Sequence, residues 1–168
     1  MFLTIFTLLH VAISLAGIAS GFVVLYGLLT ARRFNGWTAV FLVTTVLTSL
    51  TGFLFPFHHF MPSHAVGILS LLVLSVAIYA RYGRRLAGAW RSTYVITALI
   101  ALYLNVFVLV AQAFAKVPAL KALAPKQSEP PFAAAQLAVL LLFVVLGVLA
   151  TIRFRKEQLR PGPSLQAV

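Results

Sequence analysis

Cysteine is absent from this chain, and aspartate is absent too, which leaves Glu129 and Glu157 as its only acidic residues. Without cysteine there are no disulfides, thiolate metal sites, iron–sulfur ligation or thiol nucleophiles, and the redox compartment cannot be read. With two carboxylates, both outside the apolar runs, a carboxylate relay of the proton-pump kind has no parts, paired-carboxylate hydrolysis is excluded, and neither Mg²⁺ nor Ca²⁺ finds an oxygen cage. The nucleotide, hydrolase and zinc-protease signatures GxxxxGK[ST], GxSxG and HExxH are also missing. A self-sufficient enzyme is not expected.

What the chain has instead is grease: 62% of its 168 residues are hydrophobic and 9% charged. That is outside the soluble range, so lipid is expected to be the main solvent of its surface and its first partner. An unpaired backbone amide in hydrocarbon costs several kcal/mol, and alternating barrel-strand patterning is absent, so helices are the expected solution. Apolar runs of roughly 20 residues predict an all-α integral membrane bundle of five transmembrane helices, over about 2–30, 37–55, 62–80, 92–115 and 132–152. The first run lacks a basic start and a small-residue cleavage site, and reads as a retained helix. Pro62 and Pro130-Pro131 suit first helical turns. Residues 1–160 form one domain in this reading, and 161–168 a flexible cytoplasmic tail.

The formal charge of +11 would suggest nucleic acid in a soluble protein. Here the cations sit at run ends, where orientation and anionic headgroups account for them, and no nucleic-acid partner is expected. Arg32, Arg33, Arg81, Arg84, Arg85, Arg91, Arg153, Arg155, Lys156 and Arg160 fall on one side, against Lys116, Lys121 and Lys126 on the other. The positive-inside rule then predicts the N-terminus outside and the C-terminus in the cytoplasm, with Trp37 and Trp90 as anchors at the inner boundary.

Two polar faces stand out at helical spacing. His10, Ser14, Gly17 and Gly21 lie within about 40° of one another, and Gly17 with Gly21 forms a GxxxG pair suited to close helix packing, inside the bundle or between copies. Tyr94, Ala98, Ala101, Asn105 and Gln112 share a second face, with Asn105 expected to bond the Thr44, Thr48 and Thr51 stripe as interhelical glue. Counting about 20 residues from the basic boundary puts His10 and Gln112 near the outer edge of the hydrocarbon, the level at which His58, His59 and His64 bracket a loop and Gln136 opens the last run. These histidines could ligate haem iron, copper or zinc, with His10 and His64 the preferred ligands, His58 or His59 as substitutes, and haem b the cofactor considered. The alternative is solvated or structural histidines in the headgroup region. An ionisable group on a glycine-lined face is a functional candidate in either case.

The segments Ser49-Leu50-Thr51-Gly52-Phe53-Leu54-Phe55-Pro56-Phe57-His58-His59 and Leu102 to Phe114 resemble stretches of small polytopic bacterial inner-membrane proteins with no assigned function. The resemblance implies a bacterial inner-membrane origin and brings no activity. The reading that results is a non-enzymatic membrane subunit or accessory protein of a larger membrane complex. Its alternatives are a b-type haem or copper electron-transfer protein, and a small permease or channel, which would need a polar path reaching both faces.

Overall fold

The computed structural model describes residues 2–55 and 62–156. His58, His59 and the expected tail 161–168 lie outside them. Among the described residues six α-helices follow one another: α1 (Phe2–Leu29), α2 (Asn35–Gly52), α3 (Pro62–Ile78), α4 (Trp90–Lys116), α5 (Pro118–Leu123) and α6 (Pro130–Lys156). A π turn, Tyr79–Gly83, prolongs α3. No strand occurs among the described residues.

Four of these helices are long and apolar enough to cross a membrane: Leu3–Leu29 in α1, Ser63–Gly83 in α3 with its π turn, Trp90–Lys116 in α4 and Pro130–Phe154 in α6. The remaining long helix, α2, dilutes its apolar residues with five threonines and one serine over 18 residues. Much of that polarity is hidden. The hydroxyls of Thr38, Thr44, Ser49 and Thr51 donate to carbonyls four residues back in their own chain, at 2.7–3.0 Å.

Successive long helices run antiparallel. Phe34 packs under Gly27 and His10 beside Gly52, so α2 retraces α1 from Gly27 back to His10. The Ser49 and Ser70 hydroxyls meet at 3.0 Å across the α2–α3 pair, and since the Ser49 proton is on Thr45 O, Ser70 is the donor there. Arg81 stacks on Tyr94 where α3 meets α4, and α6 returns along α4 through Gln136–Phe107, Tyr103–Phe143 and Arg91–Phe154. Helix α4 is the hub: it contacts α1, α3 and α6, and half of its apolar stretch is buried against 11% for α6. Apolar tails solvate apolar side chains as well as other side chains do, so close contact has to hold the helices together.

Glycine provides that contact. A methyl at Gly21 would come 2.5 Å from Leu102 Cδ1 and 3.0 Å from the Phe41 ring, and one at Gly17 3.2 Å from Thr44 Oγ1. The GxxxG pair therefore faces α2 and α4 of its own chain. Tyr94, Phe41, Phe154, Leu74 and Leu102 complete the buried core around it.

The helix limits differ from the sequence expectation in physical detail. Helix α2 stops at Gly52 and residues 53–55 turn, because Phe53 N–H bonds Leu50 O and Leu54 N–H bonds Thr51 O in short i→i−3 links. The segment expected as a plain loop after Lys116 contains α5, started by Pro118 at a first helical position. Helix α6 begins at Pro130 and continues to Lys156, beyond the expected 132–152.

Candidate functional site

The bundle has two unlike ends. At one, arginines tie helix termini together. Arg91, 4% exposed, donates from Nη1 to Phe154 O at 3.0 Å and lies 4.9 Å over the Phe154 ring. Arg153 reaches Leu29 O at 3.3 Å, and Arg81 donates to Asn35 Oδ1 at 2.8 Å. Carbonyls at helix C-termini lack intrahelical donors, so a cation there satisfies both a hydrogen bond and the helix dipole.

At the opposite end α1, α2, α3 and α4 part around a cavity of about 480 Å³, within the range of small-molecule sites. Its polar lining is Thr7, His10 and Ser14 from α1, Thr48 and Ser49 from α2, Ser63, His64 and Ser70 from α3, and Asn105, Gln112 and Lys116 from α4. Leu15, Ile18, Val108 and Leu109 supply apolar wall, and Phe53 and Phe55 flank the two imidazoles. Among the described residues no carboxylate lines it.

Each polar group has a definite local setting. Thr51 donates its hydroxyl proton to Leu47 O at 2.7 Å, so its contact with His10 Nδ1, also 2.7 Å, requires the imidazole to donate. That network assigns the proton to Nδ1 and leaves the lone pair on Nε2. The His10 ring stands edge-on to Phe55 at 5.1 Å. His64 is 5% exposed and stacks on Phe53 at 5.7 Å. Asn105 Nδ2 donates to Thr45 Oγ1 over a long 3.3 Å. The partner is thus Thr45, not the expected Thr44–Thr48–Thr51 face, since Thr44 and Thr51 turn their hydroxyls onto their own helix. Thr48 Oγ1 is buried with no hydrogen-bond partner.

Of the residues singled out in the sequence, His10, His64, Gln112 and Asn105 line this one cavity, and Gly17 and Gly21 follow His10 on α1 by about two and three turns. Gln136 is elsewhere, donating to Phe107 O between α4 and α6 at 3.1 Å. Sequence reasoning passed over Thr48 as a site residue, and also Lys116, which it read only as a charge. Their signal was helical spacing: Lys116 lies four residues after Gln112, and Thr48 shares a face with Thr51. Among the described residues no group of three or more histidine, aspartate or glutamate side chains is gathered as a metal-only site requires. No protein-family model, no curated protein and no solved structure matches this chain.

Proposed function

We propose that this chain is a non-catalytic subunit of a bacterial inner-membrane complex, crossing the bilayer five times with its N-terminus outside, and that its outward end holds a small-molecule cavity. The observation that carries the ligand role is the cavity itself: uncharged donors and acceptors from four helices converge in it, around His10, His64 and Asn105, with Lys116 at the rim.

The fifth crossing is α2. Its 18 residues rise about 27 Å, close to the roughly 30 Å of a hydrocarbon core, and it lies along α1 from Gly27 to His10. Orientation rests on the arginines at the shared end of α1, α3 and α6. The cysteine-free sequence makes the test clean. Single cysteines replacing Lys121 and Arg85 should react with a membrane-impermeant maleimide in intact cells only at position 121. Labelling of position 85 from outside would overturn the orientation.

A second reading is favoured by His10. Metal-bound imidazoles hold their other ring nitrogen in a hydrogen bond, as Thr51 holds His10 Nδ1. With His64 on the same cavity, haem b or copper ligated by these two histidines fits the donor set. Purified protein should then carry a Soret band that His10→Ala abolishes, or copper by elemental analysis. Colourless, metal-free protein removes that reading.

A further inference from the structure

The cavity's chemistry changes with depth, and that gradient selects among ligands. Lys116 and Gln112 sit at the exposed mouth, while Asn105 is 11 positions further into the bundle than Lys116, about 16 Å along the helix axis. Among the described residues Lys116 is the only charged side chain on the lining. Thr48, one turn of α2 from Thr51, carries the buried hydroxyl without a partner, whereas its neighbours Thr44 and Thr51 both bond back to their helix. An orphaned buried hydroxyl costs stability unless something completes it.

An ionised headgroup reaching Thr48 would leave Lys116 at the mouth and bear the desolvation penalty of a buried charge. A plain acyl chain would leave the hydroxyl as it found it. What suits the deep end is a neutral oxygen on an apolar body. A second neutral oxygen suits His10, whose Nε2 lone pair accepts a proton donor. Phe53 and Phe55 beside the imidazoles add aromatic surface for a ring.

We infer that the cavity binds a lipid-soluble ring carrying two oxygens at opposite positions, of the quinone and hydroquinone class, with one oxygen at Thr48 and Asn105 and the other at His10. The inference rests on the ligand-binding reading above and narrows it. The hydroquinone form binds the tighter, because its O–H at that end can donate to the His10 Nε2 lone pair, which a quinone carbonyl, an acceptor only, cannot engage.

The full chain in lipid nanodiscs should be titrated with decyl-ubiquinone, its quinol and palmitate. The quinol is expected to bind several-fold more tightly than the quinone. Thr48→Val, a near-isosteric loss of the hydroxyl, should weaken both about fivefold, the size of one hydrogen bond. It should not lower the thermal midpoint of the ligand-free protein. Unaltered binding in Thr48→Val overturns the placement. Palmitate binding in the absence of quinol binding overturns the ligand class but leaves a ligand cavity standing. If none of the three binds, both the class and the cavity's ligand role fall.

Discussion

Ala31 has φ 56, in the left-handed region where glycine is usual. It closes α1 in a Schellman arrangement, with Arg32 N–H bonded to Gly27 O at 2.8 Å and Ala31 N–H to Leu28 O at 3.4 Å. The methyl is tolerated at a cost, so Ala31→Gly should stabilise the protein by about 1 kcal/mol, read as a higher midpoint in detergent-driven unfolding. Arg91 works the other way. Its buried bond to Phe154 O and its ring stack are both lost in Arg91→Ala, which should cost about 2 kcal/mol and loosen the end of α6. Glu129 gives the pH dependence. Desolvation, the largest single influence, pushes its pKa up, but the N–H groups of Glu129, Lys126, Ser128 and Gln127 together outweigh it and hold the carboxyl below the usual carboxylate range. Two of these bonds measure 3.2 Å from Lys126 N and 3.0 Å from Ser128 N. A depressed folded-state pKa contributes stability above the unfolded value, near 4.3 for a model Glu, and that contribution is lost as pH falls through the folded value. Thermal midpoints should therefore drop on acidification below about pH 4, and Glu129→Gln should flatten that limb.

Helices are where sequence reading and structure can be compared most closely. The runs that became α1, α3, α4 and α6 were legible because hydrocarbon demands length and apolarity, and a run either has them or lacks them. Ends were less legible. Short i→i−3 bonds close α2 at Gly52, and the left-handed Gln127 (φ 58), whose side chain donates to Ala111 O at 2.7 Å, shapes the approach to α6. Neither leaves a compositional trace. The π turn at Tyr79–Gly83 was equally silent. The Gly17–Gly21 face was readable as a packing device, but its partners were not, since GxxxG does not say which helix approaches. Gly21→Val should destabilise by about 1–3 kcal/mol through overpacking against Leu102 and Phe41. Denaturation of the purified variant in mixed micelles would measure it.

For the molecule as a whole, the candidate cavity was half visible beforehand. Counting residues from the arginines placed His10 and Gln112 at one level, because helix rise is constant. Which threonine hydroxyls turn inward was not visible, since Thr44, Thr45, Thr48 and Thr51 differ only in rotation about α2, and tertiary contacts decide it. Helix α6 shows another property of the assembly: its outer surface is nearly bare, and it is held along α4 with a lesser contact to α1. None of the cavity's wall, among the described residues, comes from α6, so α6 is expected to dock last, onto a four-helix body that forms the cavity without it. A gene split within the 124–128 connection, expressed as two fragments, should rebuild the native protein by lateral association, and the amino-terminal fragment alone should already possess the pocket.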